Sequence, residues 1–372
     1  MTTSVTFENS TIADAAKRGL SVAPKRGQAL EKAAGIMLEV NPDQTDGPVL
    51  LRATDTMVFL SEWVNVVDVE GDLAQWRVSA QLFAGVLSKL PVASGKTVTI
   101  STVPGKNAID IKSGRQTARC ILLGENEHYP EWDTFDPELL EPVTGLGAKI
   151  QMVEWACARD NNAPLTGVHF DGKRLIATDR YRIATIPCEI PFLPDPITVP
   201  AGILGTLVKP NSDTRVGSDG YHLLLMPDDH TQIKAMIYGN QYPAVDKIMK
   251  RDFPDKVKIN RDELVRLINS SQEFQGADRM AAVRIIVGAE EISVRMSNEE
   301  VGAFADVLEV PGFAVHERVT IRFAPKNLTD ALGASPNNDV MMHYNRLYPS
   351  KPIYLDGGSG YESWVIPRKE VG

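Results

Sequence analysis

The sequence predicts an α+β chain of three similar domains in tandem, each with antiparallel strands on one side and two helices on the other. The first observation behind this is a repeat. Leu51-Arg52-Ala53-Thr54-Asp55 returns as Leu175-Ile176-Ala177-Thr178-Asp179, and each copy follows a short apolar run, Gly35 to Leu38 or Gly167 to Phe170. A third, weaker copy reads Ala282 to Ile286, then Ile292 to Asn298. Asp55, Asp179 and Asn298 stand 124 and 119 residues apart, a domain's length and far more than a solenoid repeat. The second observation is that the same order of elements recurs around each copy.

A helix opens each copy: Thr11 to Leu20 after a Ser/Thr cap, Ala148 to Arg159, and Arg261 to Ser271 behind Asn260, a good N-cap residue. The repeated strands come next. A strand-like run then leads into a segment of helical period. Trp76-Arg77-Val78 precedes Phe83, Val86, Leu87 and Leu90, an i, i+3, i+4, i+7 set that lines one helix face. Ile197 to Pro200 precedes Ile203, Leu204, Leu207 and Val208, and Val319 to Phe323 precedes Leu328, Ala331 and Leu332. Alternating runs such as Thr97 to Ile100 and Val340 to Tyr344 close the first and last copies. Strands joined as hairpins, without helical crossovers, form antiparallel sheets with the helices segregated to one face. The domains are expected at 1–135, 140–253 and 254–372. The joining segments near 133–145 and 250–257 are short and rich in Asp and Pro, so neighbours are expected to dock rigidly.

Composition bounds the function. With 372 residues, 43% of them hydrophobic and 23% charged, the chain can bury ordinary cores. A net charge of −9 argues against coating nucleic acid by bulk charge, while leaving room for a local basic surface. Residues 1–8 have neither a basic nor an apolar leader-like stretch, and no run reaches membrane-spanning length, so a soluble intracellular protein without membrane association is expected. Cys120, Cys157 and Cys188 have no CxxC spacing, which points to reduced thiols rather than a disulfide framework or a zinc site.

Catalytic patterns are weak. The six histidines are scattered, without HExxH or a His-x-Glu plus CxxC arrangement. His169 lies in an alternating strand and reads as a packed or surface residue. Gly145-Leu146-Gly147 lacks the third glycine of a dinucleotide fingerprint and reads as a turn joining domains. Gly357-Gly358-Ser359-Gly360 reads as a hairpin turn, because no helix with Lys-Ser/Thr follows. Asp55 and Asp179 could pair as catalytic carboxylates, but Thr-Asp at a strand end commonly satisfies a turn backbone. No catalytic residue, metal or cofactor is expected. Two readings stay open from the residues alone: an enzyme with an unrecognised active site, and a non-catalytic protein that only binds partner peptides.

Leu165-Thr166-Gly167-Val168-His169-Phe170 with Leu175-Ile176-Ala177-Thr178-Asp179-Arg180-Tyr181-Arg182-Ile183-Ala184 resembles the middle-domain signature of the bacterial sliding clamp, the beta subunit of DNA polymerase III. Gln241-Tyr242-Pro243 with Lys247-Ile248, Val283 to Val310, Trp364-Val365-Ile366-Pro367, Val78 to Pro91, Ser113-Gly114-Arg115 and Tyr129-Pro130 resemble other landmarks of that family in the same order. The likeness spans nearly the whole chain, although only the Ala-Thr-Asp-x-x-Arg block is specific by itself. The chain resembles a divergent member, bacterial or phage-borne.

The resemblance implies a non-catalytic processivity factor: three DNA-clamp-type domains that pair head to tail with a second copy, closing a ring with sheets outside and helices facing double-stranded DNA. Such a homodimer tethers the polymerase without reading sequence, in the cytoplasm of a bacterium or a phage-infected host. DNA contacts would come from Lys17, Arg18, Lys25, Arg26, Arg159, Asn161, Asn162, Arg266 and Lys326. The family's basic residues at the starts of the second helices are absent here, where Gln81, Leu82, Ala201 and Gly202 stand. Linear peptides of the polymerase and clamp loader would enter a cleft walled by Leu165, Thr178, Arg180, Tyr181, Arg182, Ile183, Pro243, Lys247, Ile248, Val365, Ile366 and Pro367, where Arg180 replaces a family glycine and Tyr181 a family histidine. The seam between copies would join the strand bearing Ala118 and Cys120 to the helix end bearing Phe274.

Overall fold

A computed structural model describes residues 2–369 apart from 25–32, 45, 46, 92–94, 125–127, 161, 162, 191, 194, 195, 203, 209, 211, 212, 279, 280 and 316. Every strand pairing among the described residues is antiparallel, as hairpin connections require. The α+β class read from the sequence is the fold observed. The chain gathers into two compact units, residues 1–147 with 203–237, and residues 148–202 with 238–372.

The first unit holds two sheets. One has five strands in the order Asp68–Glu70, Ser4–Glu8, Thr97–Thr102, Ala108–Ser113, Gln116–Ile121. The other has eight, in the order Glu141–Thr144, Asp213–Ser218, His222–Asp228, Thr231–Met236, Val58–Trp63, Val49–Thr54, Ile36–Val40, Ala74–Val78. Its centre is a long-range joint in which Ile233 faces Leu60 across the ladder. Helices α1 (Asn9–Val22) and α2 (Ala80–Leu87) pack on each other, and α1 also packs on the eight-stranded sheet. Ile12 and Phe83 are fully buried, as are the sheet residues Leu38, Leu51 and Leu60. At about 1.5–3 kcal/mol per buried side chain, this apolar layer drives the packing.

The second unit repeats the plan. Its eight-stranded sheet runs Ile197–Pro200, Gly167–Phe170, Arg174–Thr178, Arg182–Pro187, Tyr361–Val365, Ile353–Gly358, Asp339–Tyr344, Asp255–Asn260. The central joint is again long-range, with Ile183 facing Trp364 and Ala184 facing Ser363. A four-stranded sheet runs Gly302–Glu309, Glu291–Asn298, Val283–Gly288, Val319–Phe323. Helix α3 (Leu146–Glu154) lies mostly in this unit, whereas α4 (Leu204–Leu207) belongs to the first; α5 (Arg261–Gln272) and α6 (Pro325–Gly333) pack together over a core that includes Leu264, Ile268, Ile285, Phe323, Leu328 and Leu332.

All six sequence-predicted helices exist, with shifted ends. The side chain of Asn260 caps α5 as expected, its Oδ1 accepting from Glu263 N at 3.0 Å. Helix α1 begins two residues before Thr11, at Asn9, behind Glu8, whose side chain makes no capping bond. Helix α3 stops at Glu154 rather than Arg159. The Ala158 N–H leaves the helical ladder to donate to Leu165 O at 2.8 Å, so Arg159 lies beyond the helix. Helix α4 is a single described turn, and Ile203, expected to begin its apolar face, lies outside the described residues. The glycine run at 357–360 is a hairpin between two paired strands, with Gly358, Ser359 and Gly360 all at positive φ. No helix among the described residues is long and apolar enough to cross a membrane.

Candidate functional site

The repeated Thr-Asp is a hairpin lock. Thr178 Oγ1 donates to Arg182 O at 2.7 Å and accepts from Arg180 N at 3.1 Å, while Asp179 Oδ1 accepts from Tyr181 N and Arg182 N at 2.9 and 3.0 Å. Thr54 and Asp55 repeat the set on Thr56, Met57 and Val58. Ser218 and Asp219 repeat it on Gly220, Tyr221 and His222, a copy whose letters hide it from a sequence reading. In the third repeat Asn298 Oδ1 accepts from Glu300 N and Val301 N. The tight turn forces φ to +79° at Arg180 and +73° at Thr56, where Gly220 has +86°. A non-glycine residue tolerates that left-handed backbone only where its surroundings fix it. Each aspartate is therefore occupied by its own turn, which supports the turn reading over a catalytic pair.

Locking this hairpin presents Arg182 to a buried polar centre. Its Nε bonds Asp179 Oδ2 at 2.9 Å, its Nη1 bonds Asp330 Oδ2 on α6 at 2.8 Å, and its guanidinium lies 5.2 Å from the Trp155 ring centroid. Behind it, Ile183, Leu165, Ile176, Tyr242, Val245, Met249, Tyr354 and Trp364 form one apolar cluster. Lys247 and Ile248 sit on the short turn between Val245 and Met249, so their backbone is pinned to that cluster. Ile366 N donates to Tyr181 O at 2.9 Å, which sets the C-terminal strand beside the hairpin tip.

The twelve residues expected to wall a cleft thus belong to one region of the second unit, in two layers. Leu165, Thr178, Arg182, Ile183, Val365 and Pro367 are buried, whereas Arg180, Tyr181, Pro243, Lys247 and Ile248 are exposed and Ile366 is half-buried. Tyr181 at 64% and Ile248 at 52% exposure are large apolar side chains left in water, the kind of surface that anchors a partner.

His169, on the strand beside this cluster, stacks parallel to Tyr242 with ring centroids 4.4 Å apart and bonds Thr198 Oγ1 through Nδ1 at 2.9 Å. Burial holds its pKa below the usual histidine value, and burial lowers His343 likewise. The native state therefore disfavours the imidazolium. As pH falls from about 6.5 toward the native pKa, the unfolded chain takes the proton first and stability declines. Urea midpoints measured between neutral and mildly acidic pH should show this slope, and His169→Gln should flatten it. A variant that keeps the full slope would locate the effect elsewhere.

The residues expected to touch DNA divide three ways. Lys17, Arg159 and Arg266 are exposed, and Lys326 is exposed but bonded to Asp330 Oδ1 at 2.8 Å. Arg18 is committed to Glu62 through a two-pronged ion pair, which holds its pKa above normal. Lys25, Arg26, Asn161 and Asn162 lie outside the described residues. For the seam, Gln116–Ile121 and Gly302–Glu309 are both free edges of their sheets. Phe274 is half-buried and packs on Phe304 of the second edge with centroids 5.9 Å apart. On the first edge Ala118 is half-buried and Cys120 is 1% exposed, pointing into its own unit, while Ile121, which sequence reasoning passed over, is 66% exposed. Among the described residues, no group of three or more His, Cys, Asp or Glu stands ready to hold a metal ion.

No protein-family model matches the sequence. A beta sliding clamp of Synechocystis sp. is 23% identical over 328 residues, covering 78% of this chain and 81% of that protein. The DNA polymerase III beta subunit of Thermotoga maritima superposes with a TM-score of 0.80 at 20% identity, over 99% of this chain and 100% of that one. The DNA polymerase sliding clamp of Bacillus subtilis does so with a TM-score of 0.78 at 17% identity, over the whole of both chains.

Proposed function

We propose that this chain, a divergent relative of the bacterial beta sliding clamps, pairs with a second copy to close a ring around duplex DNA and tethers a polymerase there without catalysing any reaction. The observation that carries this reading is a joint made twice. In each eight-stranded sheet, two four-stranded halves from distant parts of the sequence meet edge to edge, at Ile233 against Leu60 and at Ile183 against Trp364. The same joint made once more would bring together one edge of each smaller sheet, Gln116–Ile121 of one copy and Gly302–Glu309 of the other. Two copies related head to tail would make this joint twice, once at each seam, which is what a closed ring requires.

On this reading the chain divides into three modules, 1–135, 140–253 and 254–372, and the homodimer carries six. Lys17, Arg159, Arg266 and Lys326 meet phosphates without reading bases, the weak and mobile contact a sliding ring needs. Arg18 contributes less, because Glu62 already neutralises it. The exposed Tyr181, Ile248, Lys247 and Pro243, with Ile366 beside them, receive linear peptides of the polymerase and of the loader that opens the ring. The protein works in the cytoplasm, where its three buried thiols stay reduced.

Retention on DNA of different topology tests the reading. Loaded onto nicked circular DNA by a clamp loader with ATP, the protein should co-elute with the circle at moderate salt and be lost once the circle is cut. Its direct equilibrium binding should be weak and fall steeply with salt on both forms. Equal retention on circular and linear DNA at every salt concentration would overturn encirclement.

A further inference from the structure

The long-range joints at the centres of the two eight-stranded sheets share one register. On one side of each joint is the strand that follows a Thr-Asp lock, where Thr54 pairs with Phe59 in the first unit and Thr178 with Ile183 in the second. On the other side is a strand that leaves its own turn at Thr231, paired with Asp228, or at Tyr361, paired with Gly358. The third residue after that start faces the lock strand in both cases, Lys234 opposite Phe59 and Trp364 opposite Ile183. The far end of the ladder agrees as well: Met236 N donates to Met57 O at 2.8 Å, and Ile366 N to Tyr181 O at 2.9 Å. Unlike side chains thus keep the same offset, so the turns and the pleat set it rather than any one contact.

Both halves of this joint recur on the edges of the two smaller sheets. Ser297, which precedes the Asn298 lock, pairs with Ala303 on the edge strand Gly302–Glu309. The edge strand Gln116–Ile121 leaves its turn at Gln116, which pairs with Ser113. The same offset sets Arg119, third after Gln116, opposite Ala303 of a second copy. Ala118 then faces Phe304, Cys120 faces Gly302, Gln116 faces Asp306 and Ile121 faces Val301.

Size and charge select this register independently. Ile121 and Val301 are apolar side chains left 66% and 48% exposed, one at each edge, and this offset brings them together. It also sets the small Ala118 against the bulky Phe304, whose ring rests on Phe274. A slip by one residue would turn the inward face of one strand against the outward face of the other. A slip by two would set Asp306 against Ala118 in one direction, or Glu300 against Cys120 and Glu299 against Ile121 in the other. Either slip desolvates a carboxylate opposite a side chain that cannot pair with it.

We propose that the seam is a continuous antiparallel ladder in the register of the internal joints, with Ala118 facing Phe304 and Ile121 facing Val301, so that this chain recognises a second copy of itself by apolar fit. The inference rests on the ring reading above and adds which residues meet. Gln116 and Asp306 fall at a position between ladder hydrogen bonds, where facing side chains come closest, about 4.5–5.5 Å apart at Cβ.

Oxidative cross-linking of the full-length chain tests the register, because a disulfide forms only between cysteines that already face each other. Gln116→Cys/Asp306→Cys should give a covalent dimer on a non-reducing gel at least tenfold faster than Ala118→Cys/Asp306→Cys, the pair that a two-residue slip would bring face to face. The unsubstituted chain, whose three cysteines are buried, should give none. Equal rates, or faster linkage of the second pair, overturn the register while leaving the ring reading intact. A dimer in sedimentation that neither pair can link overturns the register by removing both edges from the interface. A chain that stays strictly monomeric at high micromolar concentration overturns the ring and the register with it. A ladder of trimers and longer species from the first pair would instead support the register and overturn closure, because only an open head-to-tail chain can grow.

Discussion

Arg182→Ala should cost about 3–5 kcal/mol of folding stability, the range for removing one partner from a buried ion pair. Its side chain is only 6% exposed, and it answers two carboxylates, Asp179 and Asp330, that are each 18% exposed. Without the guanidinium, Asp330 keeps Lys326 at 2.8 Å, but Asp179 keeps only its turn N–H groups, and the face of Trp155 loses its cation. The ion pair itself is not intrinsically strong, because burying the charges offsets most of their attraction. Removing the stranded charge as well, as in Arg182→Met with Asp179→Asn, whose Oδ1 can still accept the turn N–H groups, should therefore recover much of the loss. Urea unfolding followed by tryptophan fluorescence reads both variants. A loss below about 1 kcal/mol for Arg182→Ala would mean that the centre is solvated in solution.

Ile121→Lys should shift the proposed dimer toward monomer by about 100-fold or more in dissociation constant. Burying the exposed part of an isoleucine is worth about 1–2 kcal/mol. A head-to-tail pair has two seams, so the loss counts twice, and each 1.4 kcal/mol is a factor of ten. The lysine adds a desolvation cost if it stays in the seam. Phe274→Ala should act in the same direction more weakly, because that ring already spends part of its surface on Phe304. The small Ala118 and the inward Cys120 leave the edge with little other apolar surface, which favours a dimer that dissociates readily. Sedimentation across the micromolar range measures all three proteins. An unchanged dissociation constant for Ile121→Lys would remove this edge from the interface.

Periodicity made the helices legible, because α1, α2, α5 and α6 each bury one apolar stripe and the sequence writes that stripe directly. Turn chemistry made the hairpins legible, since Thr-Asp and the glycine run have few other uses. The two sheet joints were not legible. Ile233 and Leu60 meet across a long stretch of chain, and alternation tells which face a side chain takes but never which strand lies beside it. The same limit blurred the candidate cleft: Ile183 and Val365 are apolar like Ile248, but central strands bury the first two while a turn exposes the third.

The chain passes between its two units at residues 147–148, 202–203 and 237–238, so neither unit is a continuous piece of sequence. A protein ending near residue 135 would keep Val58–Trp63 but lose Thr231–Met236, baring a ladder rich in apolar residues to any passing strand. A protein beginning near residue 254 would do the same to Tyr361–Val365. Single modules cut from this gene should therefore aggregate rather than fold, however domain-like their lengths. Inheritance faces the same restriction as the bench: recombination that swaps one module for a foreign one must also match a sheet edge, residue by residue, in the module that stays.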